Sequence, residues 1–229
     1  MPPKNTILII GASRGLGLAL TEAFCQRGWH VIATTRAPSA ALDEVAQRFP
    51  ASLEAERVDL AEATSVQALR ERLSGRSLDM LFVNAGIAKS ITATASTAPQ
   101  QDFLDMMLVN ALGPMRLIEL FEPVVAPHGT IAAMSSELGS ITQNSGAWDL
   151  YASTKAALNM LMKCFAARRP HDGRAMLVVA PGWIRTDMGG DEATYSIEEA
   201  IPRVVDTLEK NHGRPGLRYV DRFDATLPW

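Results

Sequence analysis

The chain has 229 residues, 47% of them hydrophobic and 21% charged, which suits one globular domain and excludes a disordered, collagen-like or coiled-coil protein. A net charge of −3 supplies no strong pull toward nucleic acid or an anionic membrane surface, so neither is expected as a partner. Two cysteines, Cys25 and Cys164, are too few for a disulfide framework and lack metal-ligand spacing. The expectation is a reducing, cytoplasmic compartment and no metal.

Met1-Pro2-Pro3-Lys4-Asn5 leads into a run of only five apolar or β-branched residues, followed by a Gly-rich turn, which is not a secretory pattern. No stretch approaches the roughly 20 apolar residues that span a bilayer. The elements then alternate. A strand is predicted over Thr6–Ile10, a helix over Leu16–Arg27, a strand over His30–Thr35 and a helix over Leu42–Arg48. Next come a strand over Leu53–Val58, a helix over Ala63–Leu73, a strand over Met80–Val83 and a long helix over Phe103–Phe121. A strand over Thr130–Met134, a helix over Tyr151–Arg168, a strand over Met176–Ala180 and a helical pattern over Ile197–Glu209 complete the series.

Strands that are apolar almost throughout are buried on both faces, as a parallel sheet between helical layers requires. The fold class is therefore α/β: a doubly wound, mostly parallel sheet of the Rossmann type, in a single domain over residues 1–229. A (β/α)₈ barrel needs more units than this chain has. Ligands of such sheets sit beyond the carboxyl ends of the strands, so the residues that follow each strand carry the function.

After the first strand comes Gly11-Ala12-Ser13-Arg14-Gly15-Leu16-Gly17. Glycines let backbone N–H groups approach a pyrophosphate, and the helix that follows presents its positive end. The spacing is G-x-x-x-G-x-G, which an ordinary strand–helix turn can also show. A site for NAD(H) usually places Asp or Glu at the end of the second strand, to hold the ribose 2′-hydroxyl. Here Thr34-Thr35-Arg36 stands there, and Arg36 and Arg14 together suit a 2′-phosphate, so NADP(H) is expected over NAD(H). Asp59 ends the third strand and is read, with its neighbour Leu60, as contacting adenine, although Asp there also suits a simple turn.

Tyr151 and Lys155 stand four residues apart and leave one face of a helix. A phenol is a poor acid–base catalyst at neutral pH, and a neighbouring ammonium or a positive nicotinamide ring favours its ionised form. Upstream, Ser135 and Ser136 end the fifth strand, where a hydroxyl can donate to a substrate carbonyl. The two point to opposite sides if the strand continues, so one of them faces the site.

These residues, with Asn84-Ala85-Gly86, Asn110, Tyr151-Ala152-Ser153-Thr154-Lys155 and Pro181-Gly182, resemble the short-chain dehydrogenase/reductase family over nearly the full length. Ser135-Ser136-Glu137-Leu138-Gly139-Ser140-Ile141, Lys155-Ala156-Ala157-Leu158-Asn159-Met160 and Pro181-Gly182-Trp183-Ile184-Arg185-Thr186-Asp187-Met188-Gly189-Gly190 most resemble its carbonyl-reductase-like group, which includes the sniffer and C-factor proteins. The resemblance implies that Tyr151 is the general acid–base, that Lys155 lowers its pKa and binds the nicotinamide ribose, and that Ser136 orients the carbonyl. It implies that Asn110 holds a water linking Lys155 to solvent. Asn84, Ala85 and Gly86 would close over the adenosine side, and Pro181, Gly182, Ile184 and Thr186 would cover the nicotinamide. Ser136 precedes Tyr151 by fifteen residues, slightly more than the commonest family spacing, and the extra residues fall in the loop Thr142–Leu150.

The expected function is reversible NADP(H)-dependent reduction of an aldehyde or ketone to an alcohol. Substrate contacts are expected from the loop Leu138–Leu150 and from a short segment over about residues 187–196, where Gly189-Gly190 suggests a mobile lid. Trp148, Trp183 and Met188 are either apolar walls or core. The Phe103–Phe121 and Tyr151–Arg168 segments suit the face of a homodimer or homotetramer. A dinucleotide-binding signalling or regulatory protein without turnover is the alternative, which the full Ser136, Tyr151, Lys155 and Asn110 set disfavours. A nucleotide-sugar epimerase is disfavoured because no C-terminal substrate domain follows.

Overall fold

A computed structural model of the chain describes residues 5–229; the reading of the first four residues falls outside it. Seven parallel strands form one sheet in the order β3-β2-β1-β4-β5-β6-β7. They are β1 (Thr6–Ile10), β2 (His30–Thr35), β3 (Leu53–Arg57), β4 (Leu78–Val83), β5 (Val125–Met134), β6 (Ala175–Ala180) and β7 (Gly216–Asp221). The helices are α1 (Gly15–Gln26), α2 (Ala40–Arg48), α3 (Ala63–Arg72), α4 (Gln100–Met107), α5 (Gly113–Phe121), α6 (Asp149–Ala167) and α7 (Ile197–Asn211). Among the described residues, no helix is long and apolar enough to cross a membrane.

Alternation along each strand builds the two cores. In β1, Ile7 and Ile9 join Leu20 and Phe24 of α1 and Val204 and Leu208 of α7 on one face of the sheet. Leu8 and Ile10 join Leu69 of α3, Ile118 of α5 and Phe165 of α6 on the other. Each of these side chains is essentially removed from water, which is why the central strands read as unbroken apolar runs.

Two sequence expectations change. The sheet has a seventh strand, β7, that the pattern did not mark: Arg218 and Asp221 interrupt a short run, and an edge strand pairs on one side only, here with β6. The long helix expected over Phe103–Phe121 divides into α4 and α5 around a π turn, Leu108–Leu112. Pro114 explains the division. It has no N–H, so the carbonyl of Asn110 cannot close an α-helical bond four residues on, and the chain widens instead.

The strand order reverses between β1 and β4, whose partners β2 and β5 lie on opposite sides. The carboxyl ends of β1 and β4 therefore open a crevice at the middle of the sheet.

Candidate active site

A cleft of about 1080 Å³ lies over that crevice. The glycine turn forms its floor. Gly15 opens α1 at φ +55°, a conformation that favours glycine, and the nearest atom to a Cβ placed there is Thr186 Cγ2 at 3.7 Å. Gly17 is needed for close approach: a Cβ there would lie 1.9 Å from the Gly11 carbonyl oxygen and 2.6 Å from Asn84 Nδ2. The Gly11 N–H donates to Thr34 Oγ1 at 3.2 Å, and Asn84 Nδ2 donates to the Gly11 carbonyl at 2.8 Å, so β2 and β4 both brace the turn. No side chain caps the start of α1, which leaves its first N–H groups facing the cleft.

Gly11, Arg14, Gly15 and Leu16 line the cleft, as do Arg36, Asp59, Leu60, Asn84, Ala85 and Gly86. Ser13 and Gly17 do not: the Ser13 carbonyl accepts from Ser39 Oγ at 2.8 Å, and Gly17 is packed beneath the turn. Arg36 is exposed at the end of β2, and Arg14 sits 3.5 Å from Asp187 in an exposed ion pair. Asp59 Oδ1 accepts the Ala61 N–H at 2.9 Å, the turn role, while its side chain also borders the cleft. A cradle that a Cβ would obstruct, an uncapped helix start and two arginines without a carboxylate at the end of β2 fit a phosphorylated dinucleotide.

The other half of the cleft is built by β5, α6 and the segment after β6. Tyr151 and Lys155, one turn apart on α6, both line it, with Lys155 Nζ 5.6 Å from the phenol ring centroid. Lys155 is 2% exposed, and its Nζ donates to the Met134 carbonyl at 3.0 Å. Burial pushes its pKa down to about 8. Burial raises that of Tyr151 above the ordinary phenol value, and the Glu137 charge adds to the rise. Both influences favour Tyr151 as a protonated phenol.

The two serines have different surroundings. Ser135 is 2% exposed and its Oγ donates to Asn159 Oδ1 at 2.7 Å, inside α6. Ser136 is half-buried, its Oγ accepts the Leu138 N–H at 3.2 Å, and its carbonyl accepts from the Tyr219 hydroxyl on β7. Ser136 therefore keeps its own O–H available toward the cleft.

Asn110, fully buried in the π turn, does not line the cleft. Its Oδ1 accepts the Ile87 N–H and its Nδ2 donates to the Ile87 carbonyl, both at 2.8 Å, with a further bond to Thr154 Oγ1 at 3.0 Å. The carboxamide is committed to those partners.

Pro181, Gly182, Ile184 and Thr186 line the far wall. An Ile184–Tyr195 bridge closes the base of the segment that follows, and Thr186 Oγ1 accepts the Gly189 N–H at 3.1 Å. Of the expected glycine hinge, Gly189 is packed, since a Cβ there would lie 2.0 Å from the Ile184 carbonyl oxygen. Trp148, Trp183 and Met188 border the cleft, and Trp148 also packs against the small buried cluster of Met106, Leu150 and Tyr151; Trp183 is 48% exposed and donates from Nε1 to the Gly189 carbonyl. Asn144 organises the loop before α6: its Oδ1 accepts the N–H groups of Gly146 and Ala147, and its Nδ2 donates to the Leu138 carbonyl.

Sequence reasoning gave no role to Glu137, Tyr219 or Arg222. Glu137 stood inside a quoted motif, whereas Tyr219 belongs to a strand that the pattern did not mark and Arg222 follows that strand directly.

Fold and cleft together define a Rossmann-type protein in which Tyr151, Lys155 and Ser136 border the same cleft as the glycine turn. The short chain dehydrogenase family profile matches residues 5–195, and the chain belongs to that family of oxidoreductases. A short-chain dehydrogenase/reductase from Burkholderia multivorans, solved with bound NADP, is 45% identical, with a TM-score of 0.97 over 99% of this chain and 100% of that one. The carbonyl reductase Sniffer of Drosophila melanogaster is 28% identical, with a TM-score of 0.86 over 98% of this chain and 99% of that one. The C-signal protein of Myxococcus xanthus is 30% identical over 161 residues, 66% of this chain and 93% of that protein. The resemblance to the sniffer and C-factor group therefore holds, and the protein is a short-chain dehydrogenase/reductase, similar to carbonyl reductases.

Proposed function

We propose that the protein reduces an aldehyde or ketone to its alcohol with NADPH, reversibly, with Tyr151 as the general acid–base. The observation that carries this reading is that Tyr151, Lys155 and Ser136 open onto the same cleft as the glycine turn. Arg14 and Arg36 would hold the 2′-phosphate, the start of α1 the pyrophosphate, and Lys155 the nicotinamide ribose. The reduced nicotinamide supplies the hydride. Ser136 Oγ donates to the substrate carbonyl oxygen and orients it. Tyr151 then gives that oxygen its proton, and the Lys155 ammonium steadies the phenolate left behind. Reprotonation runs through Lys155 and a water at Asn110. Pro181, Gly182, Ile184 and Thr186 exclude bulk solvent from the far face of the ring, with the segment over about residues 187–196 as the substrate loop.

Exposed apolar side chains on α4 and α6, Leu104, Met160 and Leu161, support self-association through these helices, which sedimentation would read. The central test is NADPH consumption against a panel of aldehydes and ketones. Carbonyl-dependent consumption is expected; NADPH binding without it would favour the binding-only regulatory role instead.

A further inference from the structure

Several charged residues bordering the cleft are engaged elsewhere, and among the described residues the carboxylates of Asp59, Glu137 and Asp191 enter no ion pair. Arg14 pairs with Asp187, Lys155 is bonded to Met134, and Arg185 donates to the Ala193 carbonyl and lies 3.7 Å from Glu199. Arg36 and Asp59 stand at the ends of β2 and β3, on the adenosine side. Glu137, the residue after Ser136, is half-buried and lines the cleft. Among the described residues, its carboxylate takes part in no ion pair.

Arg222 is the cation nearest in effect, and it is held back. It is 7% exposed, its guanidinium stacks 3.8 Å from the Tyr195 ring centroid and 4.5 Å from that of Phe223, and Nη1 reaches the Pro181 carbonyl at 3.5 Å. It does not border the cleft. Its field opposes the burial that raises the Glu137 pKa, so it favours the ionised carboxylate without covering it. Trp148 and Trp183 also line the cleft, and indole faces attract cations.

We propose that Glu137 makes this cleft select carbonyl substrates that carry a positive charge and reject those that carry a carboxylate. This rests on the reductase reading above. An anionic substrate would face an uncompensated like charge in a site walled by tryptophans, whereas a cation finds both a counter-ion and aromatic faces.

The test compares three aldehydes with NADPH at about pH 8: 4-(trimethylammoniomethyl)benzaldehyde, benzaldehyde and 4-formylbenzoate. The expected kcat/KM ratio of cation to anion is about tenfold or more in the wild type. Glu137→Gln should bring that ratio close to one, and Glu137→Asp should retain it. Because each ratio is measured within one protein, a general loss of activity does not imitate the effect. An unchanged ratio in Glu137→Gln, or a wild-type preference for the anion, overturns the proposal. If none of the three aldehydes is reduced, the reductase reading has failed instead. Calorimetric binding of the corresponding benzyl alcohols in the presence of NADP⁺ then decides the matter: tighter binding of the cation, lost in Glu137→Gln, supports the selectivity, and equal binding refutes it.

Discussion

The Tyr219 hydroxyl donates to the main-chain carbonyl of Ser136, so the edge strand β7 fastens the turn that follows β5. Tyr219 is 1% exposed and packs on Trp229 with ring centroids 5.4 Å apart. The site is thus braced from the last strand of the sheet, more than eighty residues beyond Ser136.

This arrangement separates the two serines experimentally. Ser136→Ala should lower kcat about 100-fold through loss of the carbonyl donor, with thermal stability nearly unchanged. Ser135→Ala leaves Asn159 Oδ1 without its buried donor, so it should cost about 1–3 kcal/mol of stability and affect kcat far less. Steady-state kinetics alongside urea unfolding checks both; equal kinetic losses would remove the distinction.

Tyr151→Phe keeps the ring that packs edge-on against Trp148, with centroids 5.5 Å apart, and deletes only the hydroxyl. NADPH affinity, followed by fluorescence titration, should stay within a factor of about two, because the phenol proton is not needed for binding. Turnover should fall about 100- to 10,000-fold. Retained turnover would move the acid–base role to another group.

Arg36→Asp places a carboxylate where a ribose 2′-hydroxyl would be held and a 2′-phosphate repelled. The ratio of kcat/KM for NADPH to that for NADH should fall about 100-fold or more. Arg14→Ala should shift the ratio less, since Arg14 shares its charge with Asp187. A ratio unmoved by Arg36→Asp would remove the basis for cofactor selectivity.

Lys155 links stability to pH. Burial brings its pKa down from 10.5 to about 8, so between these values the unfolded chain holds a proton that the folded chain has released. Stability gains on the order of 3 kcal/mol as pH rises from about 8 to about 10, and the desolvation cost is fully present below pH 8. Lys155→Met removes the titration, so the variant should exceed the wild type near neutrality and lose that advantage toward pH 10. Cys25, pushed up to about 11 by burial, acts in the opposite sense but equally in both proteins, and cancels in the difference. Urea midpoints of the two proteins across this range give the measurement; parallel pH curves would contradict it.

The sequence alone determined the fold class, the alternation of strands and helices, and the glycine turn, because these are written in local order. Apolar runs such as Leu8–Ile10 and Leu177–Val179 announce strands buried on two faces, and glycines between a strand and a helix announce a phosphate turn. The Tyr151–Lys155 pair follows from helical spacing alone. The tertiary structure decided what depends on neighbours distant in the chain. Of two serines that both border the cleft, it committed the Ser135 hydroxyl to Asn159; it also committed the Asn110 carboxamide to Ile87 and braced the Ser136 carbonyl with Tyr219. It also left Glu137 beside Tyr151 with no cation against it, because Arg222 is held between aromatic rings beyond the cleft wall. Periodicity reports which way a side chain faces within its own element; which partner waits there is set only when the sheet brings separate segments together.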